Sequence, residues 1–161
     1  MSGSSRPQFR ILHCFRTPVG GLFRHVCDLA KTQSLLGHDV GIVCDSETGG
    51  ELGEKRLADL SAFCKLGIHR TPMSRQIGPR DWSALGTVQR VANNCKADVL
   101  HGHGAKGGAY ARLARMGRHG QTLRIYTPHG GSLHYSPWSP QGLVFLTLER
   151  ILLPKTDGLI F

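Results

Sequence analysis

The sequence predicts an open α/β sheet of parallel strands with helices on both faces, and three observations carry that prediction. Short apolar segments of strand length alternate with helix-periodic segments along almost the whole chain. Glycine-bearing loops follow several of the strands. Parallel neighbours need crossover connections, which the intervening helices supply.

The first strand is Phe9 to Phe15, stopped by Pro18 and Gly20-Gly21. Leu22, Val26, Leu29, Ala30 and Leu36 then recur at helical spacing, with Arg24, His25, Asp28, Lys31 and Thr32 on the other face, and Gly37 ends that helix. Val40 to Cys44 is the next strand, closing a first βαβ unit. Leu57, Leu60 and Phe63 mark a second helix before a brief strand at Leu66 to His69. After a loop over Thr71 to Arg80, Asp81 caps a third helix that turns Leu85, Val88, Val91, Ala92 and Cys95 inward. Asp98 to His101 is the fourth strand, Lys106 to Arg118 a helix, and Leu123 to Thr127 the fifth strand. Gly130 to Pro140 is a loop, Gln141 to Leu153 a helix and Gly158 to Phe161 the opening of another strand. The whole is a Rossmann-like arrangement, with residues 1–8 a disordered leader and 9–161 the domain. Phe161 falls inside a predicted apolar strand, so the reading expects a longer parent protein.

A chain of 161 residues can bury about two thirds of its unfolded surface without metal or disulfide help. The five cysteines are odd in number, form no CxxC pair and sit in apolar patterns, which points to buried thiols in a reducing cytoplasm. The polar leader lacks the apolar core of a secretory signal. The longest apolar run, Leu143 to Leu153, is interrupted by Thr147, Glu149 and Arg150 and falls short of the roughly twenty residues of a membrane span, so it reads as a core or interfacial helix. The net charge is +9, and no carboxylate occurs from Val99 to Leu148, where Lys106, Arg112, Arg115, Arg118, Arg124 and five of the nine histidines lie. By charge alone such a stretch favours an anionic partner, whether phosphate, nucleic acid or an acidic membrane surface, and reads equally well as a basic solvated face; Arg112, Arg115 and Arg118 at three-residue spacing on one helical sector offer the membrane contact. Nucleic acid is not expected.

Ligands of open parallel sheets bind beyond the carboxyl ends of the strands. Gly20-Gly21 offers backbone N–H groups to a phosphate or sugar, and reads equally well as a tight turn. His101 and His103 share a side if their strand persists, with no Asp or Glu nearby, so hydrogen bonding or a satisfied core histidine is expected rather than a metal. Gly102-x-Gly104-x-x-Gly107 matches the dinucleotide fingerprint, but it follows the fourth strand, and Arg124 to Pro128 stands where the ribose-binding acid belongs. There is no GxxxxGK[ST] phosphate loop. Thr127-Pro-His-Gly-Gly-Ser132 is like a hydrolase oxyanion stretch, yet no GxSxG accompanies it. His129 can instead donate to a substrate hydroxyl.

Taken in order, Arg10-Ile-Leu-His-Cys-Phe with Pro18-Val-Gly-Gly-Leu-Phe-Arg-His-Val, Leu36-Gly-His-Asp-Val, Ala97-Asp-Val-Leu-His-Gly-His-Gly, Tyr126-Thr-Pro-His-Gly and Leu148 to Phe161 resemble the N-terminal domain of retaining, nucleotide-sugar-dependent glycosyltransferases of the group 1, family 4-like type. The resemblance implies the N-terminal, acceptor-side half of a GT-B fold, truncated before the C-terminal donor-binding domain. It also implies transfer of a hexosyl or related sugar in glycan, polysaccharide or glycolipid biosynthesis by the full-length parent, the fragment alone being inactive. Gly20 and Gly21 would lie against the donor diphosphate or sugar, His129 would hydrogen-bond the transferred sugar, and His103 would line the acceptor side. Many members carry a glutamate where this sequence has Phe23, which implies that any acceptor contact made by that acid is lost or shifted. No metal or other cofactor is expected, the nucleotide sugar being a substrate. The partners implied are the sugar donor, the acceptor and the missing C-terminal domain, and the location is cytoplasmic, with peripheral contact to the inner face of a membrane. The alternative is a nucleotide- or anion-binding Rossmann module without catalysis.

Overall fold

The computed structural model describes residues 7–117, 121–130 and 138–161. Their elements run β1 (Arg10–Cys14), α1 (Gly20–Leu35), β2 (Asp39–Asp45), α2 (Gly50–Ser61), β3 (Ile68–Thr71), α3 (Arg80–Asn94), β4 (Val99–His103), α4 (Gly104–Leu113), β5 (Leu123–Thr127), α5 (Pro140–Leu152), a 3-10 turn (Leu153–Lys155) and β6 (Gly158–Leu159). The strands form one sheet in the order β3-β2-β1-β4-β5-β6, and every neighbouring pair is parallel. The predicted open parallel sheet is therefore the fold, and its strand order is the one by which Rossmann sheets are defined.

Two apolar layers hold the sheet. On one face Phe15, Val40, Ile42 and Cys44 pack under α1 and α2 through Phe23, Val26, Ala30, Leu57 and Leu60. On the other, Leu12, Cys14, Val43 and Leu100 meet α3 and α4 through Ala84, Val88, Val91, Tyr110 and Ala111. Alternation along each strand divides the residues between the faces. The central strands are buried on both sides; β2 is mostly apolar between its ends, whereas β1 and β4 carry His13, His101 and His103 within their buried runs. Gly37, with φ of +92°, ends α1 in the left-handed conformation that suits glycine, and the amides of Gly37 and His38 bond back to the carbonyls of Ser34 and Gln33.

Three sequence expectations change. Helix α3 starts at Arg80, with Pro79 at the N-cap, so Asp81 is not a simple cap. Its carboxylate accepts from the Gly78 amide, from Lys106 Nζ at 2.6 Å and from the Tyr110 hydroxyl, tying α3 to α4. Burial alone would raise the Asp81 pKa, but these donors outweigh it and hold the carboxyl below its usual range.

Helix α4 starts directly at the end of β4 and stops at Leu113, well short of Arg118. Beyond it, the Arg115 and Gly117 amides bond to the side chains of Gln89 and Asn93 on α3, which compete with helix continuation. The apparent dinucleotide fingerprint is here a packing surface. A Cβ on Gly102 would fall 2.5 Å from the Gly107 carbonyl oxygen, one on Gly107 would fall 2.1 Å from that of Cys14, and one on Gly108 would strike the Tyr126 ring. These glycines let α4 lie almost on the backbone of β1 and β4.

The third change removes the arginine stripe proposed for membrane contact. Arg112 is only 1% exposed. Its guanidinium lies over the Tyr126 ring at 4.0 Å and pairs with Glu149 of α5 at 2.7 Å, and Tyr126 donates to the same carboxylate. Arg115 lies past the helix end, so it shares no helical sector with Arg112, and Arg118 lies outside the described residues. Helix α5 is capped by Ser139, whose Oγ accepts from the Gly142 amide. It packs through Glu149 and Leu152, while Leu143, Val144, Leu148 and Ile151 are exposed.

Removing one member of a buried ion pair leaves the other poorly solvated. Arg112→Ala is expected to lower unfolding stability by about 3 kcal/mol, the low end for such pairs because Glu149 is partly exposed. Urea denaturation checks this, and a loss within experimental error would mean that the pair does not anchor α5.

Candidate functional site

The order of the strands reverses between β1 and β4, so the crevice at their carboxyl ends is the place where such a sheet opens to a ligand. Helix α1 enters that crevice. Gly20 has φ of +77°, so the turn from β1 requires it, whereas Gly21 needs no unusual dihedral. Both are exposed, and a Cβ on either would meet nothing within 4 Å. No side chain caps α1 and no acid sits in its first turn. Its leading amides therefore face outward with the positive end of the helix dipole, an arrangement suited to an anion or a polar oxygen.

Beside this helix end, the sheet face under α1 carries histidines. His101 and His103 do share a side, because β4 runs on through His103, and their rings stack at 3.9 Å between centroids. His13 of β1 is in register with His101. His13 Nδ1 lies 2.9 Å from His103 Nε2, and His13 Nε2 lies 2.8 Å from Gln33 Oε1 on α1. His103 Nδ1 lies 3.1 Å from His129 Nε2, and His101 Nε2 hydrogen-bonds Thr127 Oγ1 at 2.9 Å. His13, His101 and His103 are buried, while His129 is exposed. His25 of α1 stands edge-on to His129, with ring centroids 5.1 Å apart.

His129 is held at φ of +50°, one of two non-glycine residues with positive φ among the described residues. Histidine tolerates this better than most side chains, yet it still costs on the order of 1 kcal/mol. The turn delivers the ring to the rim of an open pocket of about 410 Å³ that His25, Pro128, Gly130 and Phe161 also line.

Burial decides the charge of the row. It lowers His13 to about 4, with the nearby His25 adding to the effect and the Gln33 hydrogen bond opposing it. It lowers His101 to about 3 and drives His103 further down, the neighbouring imidazoles contributing in both cases. His129 is lowered as well, by burial and by His25. At neutral pH these rings are uncharged, each with one N–H and one lone pair.

Two groups of imidazoles could converge on a metal: the buried His13, His101 and His103, and the more open His25, His103 and His129, whose nitrogens lie within 4.8 Å of one another. Three imidazoles match the protein ligand number of a catalytic zinc site. Here, however, the His13–His103 and His103–His129 nitrogens lie 2.9 and 3.1 Å apart, in hydrogen-bonding positions rather than aimed at a common centre.

The four sequence candidates thus fall on one edge. Gly20 and Gly21 are exposed at the helix end, His129 stands at the pocket rim, and His103 lies behind it, 1% exposed. Gly131, in the stretch 127–132, lies outside the described residues. His103 and His129 come from separate loops, but β4 and β5 are neighbours, and His103 pairs in register with Thr127. The sequence reading missed His13 and Gln33. A histidine inside the apolar run of β1 was the available signal for the first; nothing in the sequence distinguishes Gln33 from a solvated helix residue. Phe23 lies in the core, 5.6 Å from the Phe15 ring, so that position points away from the crevice.

Histidines whose folded pKa lies below the unfolded value favour unfolding once the unfolded chain begins to protonate. Their stabilising effect is complete above about pH 6.5, and it falls between there and about pH 4 as the unfolded state binds more protons. Each such ring contributes a slope of about 1.4 kcal/mol per pH unit in that window. Urea midpoints should therefore be level from about pH 8 to 6.5 and drop steeply below. A midpoint unchanged down to about pH 4.5 would show that the row is not buried in neutral form.

Comparison with known proteins gives this edge its setting. Glycosyltransferase Family 4 matches residues 19–161. The Bacillus subtilis (strain 168) protein named "Putative glycosyltransferase EpsD" is 29% identical over 111 residues, which is 67% of this chain and 28% of that protein. The crystal structure of MurG from Acinetobacter baumannii resembles this one with a TM-score of 0.60 at 14% identity, over 95% of this chain and 41% of MurG. At that identity the likeness speaks for the fold alone, a Rossmann-like unit of the GT-B kind. The chain spans less than half the length of either protein. The family match runs from the start of α1 through both histidine-bearing strand ends to the last strand, and on that ground the chain belongs to Glycosyltransferase Family 4.

Proposed function

We propose that this chain is the N-terminal, acceptor-side domain of a retaining glycosyltransferase that uses a nucleotide sugar, acting in glycan, polysaccharide or glycolipid biosynthesis. The observation that carries the reading is the pairing, on one crevice, of the open amides at Gly20 and Gly21 with the exposed, backbone-strained ring of His129. The helix end suits the diphosphate, whose charge grows as it leaves. His129 suits a hydroxyl of the transferred hexosyl unit, with His103 acting from behind it toward the acceptor side. Retention fits a front-face transfer in which the leaving diphosphate helps to deprotonate the acceptor, so no protein nucleophile is required. A second domain would bring the donor-binding groups, and the partial coverage of EpsD and MurG supports its existence. The nitrogen geometry favours work without a resident metal.

The second reading, a Rossmann module that binds dinucleotides or anions, draws on the strand order. The acid at the end of β2 that such modules turn to the ribose corresponds to Asp45. Asp45 is buried and already accepts from Thr48 Oγ1 and from the Met73 and Glu47 amides. Calorimetry with NAD and NADP is expected to show no binding; measurable heat with either would favour this reading. No helix among the described residues is long and apolar enough to cross a membrane. The cytoplasmic, membrane-peripheral location is part of the proposal through the +9 charge, and sedimentation with liposomes that is indifferent to anionic lipid would remove it.

In the full-length parent, His129→Ala should lower kcat/KM about tenfold or more, the effect of losing a hydrogen bond of about 1.5 kcal/mol. Gly21→Ala should lower it too, while leaving stability unchanged or slightly raised, because the fold has room for the methyl group. The isolated chain should show no turnover of nucleotide sugars. Full activity of His129→Ala, or turnover by the isolated chain, would overturn this division of labour.

A further inference from the structure

His129, His103, His13 and Gln33 form one hydrogen-bonded line from the pocket rim, under α1, to the last turns of that helix. A neutral imidazole donates once and accepts once, so adjoining rings in a line must all point the same way. Gln33 presents Oε1, an acceptor, to His13 Nε2. With Gln33 in that orientation the hydrogen of His13 belongs on Nε2, and its Nδ1 is left to accept from His103 Nε2–H. His103 Nδ1 in turn accepts from His129 Nε2–H. Every hydrogen points inward, and His129 Nδ1 is left as a lone pair; no described residue bonds to that atom. The opposite polarity requires the Gln33 amide to turn half a revolution and offer its NH2 group.

We propose that this line is a polarity relay, in which Gln33 fixes His129 to present an acceptor nitrogen, and that the ligand group His129 recognises is a hydroxyl that donates to Nδ1. The proposal rests on the reading of the crevice as a sugar site. It makes Gln33 a positioning residue that acts through two buried rings. It reverses the sequence expectation that His129 donates to the hydroxyl. A lone pair welcomes a hydroxyl but repels a phosphate oxygen, so the two sides of the crevice sort their ligands. The diphosphate belongs to the amides of α1 and the sugar hydroxyl to His129. Among the described residues, His25 is the ionisable side chain outside the line that stands against His129, and it meets the ring edge-on rather than through a hydrogen bond.

The test is the tautomer of His129, read from two-bond nitrogen–proton correlation spectra of the chain labelled with 15N-histidine at a pH where the ring is neutral. The His129 signals are assigned by their loss in His129→Gln. In the unchanged protein, Nε2 should carry the hydrogen and Nδ1 should not. Gln33→Met removes the terminal acceptor and should shift His129 toward a mixture of tautomers. Gln33→Lys offers only a donor and should shift it to the Nδ1–H form. A merely structural role for Gln33 would not move the two variants to different positions. His129 carrying its hydrogen on Nδ1 in the unchanged protein, or a tautomer ratio unaltered by Gln33→Met, would overturn the relay. Circular dichroism verifies folding, and if Gln33→Lys does not fold, Gln33→Met decides alone. Loss of the relay and loss of the sugar role separate cleanly: the first alters the spectra, the second leaves turnover of the His129→Ala parent unchanged.

Discussion

Three imidazole rings buried between a helix and a parallel sheet impose the constraint on which the rest of this crevice depends. The space under α1 is where a Rossmann sheet ordinarily places aliphatic side chains, and a polar ring there must find a partner or forfeit roughly 1–3 kcal/mol. Here the partners come from the row itself, from Thr127 of β5 and from Gln33 of α1. Satisfying the row therefore fixes more than the row. It helps set how α1 sits on β1 and β4, and hence where the exposed amides of Gly20 and Gly21 stand relative to His129.

The opposite face supplies the rigidity that this arrangement needs. Without side chains at Gly102, Gly107 and Gly108, α4 lies close enough to β1 and β4 to start in the same turn that ends the histidine strand. Arg112, enclosed between Tyr126 and Glu149, then ties α4 to β5 and α5. Two adjacent strand ends are thus clamped from behind, and the strained turn at His129 is attached to one of them. A glycine pattern that imitates a cofactor fingerprint serves, in this protein, to bring backbone against backbone.

Much of the fold was legible because its signals are local. The alternation of strand and helix, the helix stop at Gly37 and the glycines at the end of β1 depend on neighbours within a few residues. So does the shared side of His101 and His103, which follows from strand geometry. The ends of α3 and α4 were read less well because distant groups set them. Gln89 and Asn93 capture amides that a continued α4 would have used, and Asp81 serves α4 rather than its own helix end. The arginine spacing suggested a surface stripe, since periodicity says which residues share a sector but not whether another helix supplies a carboxylate to it.

The order of residues alone is enough for an α/β chain with parallel strands, glycines and histidines at the strand ends, and the family resemblance that those segments carry in order. Its own covalent spacing sufficed for that, because periodicity and turn chemistry are properties of short stretches. Folding of the sheet is what makes His13, His103 and His129, up to 116 positions apart in the chain, hydrogen-bonded neighbours and sets a glutamine on α1 at the end of their line. Strand order brings those residues together, burial holds the rings neutral, and the bonding direction then passes from ring to ring until it reaches the exposed nitrogen of His129.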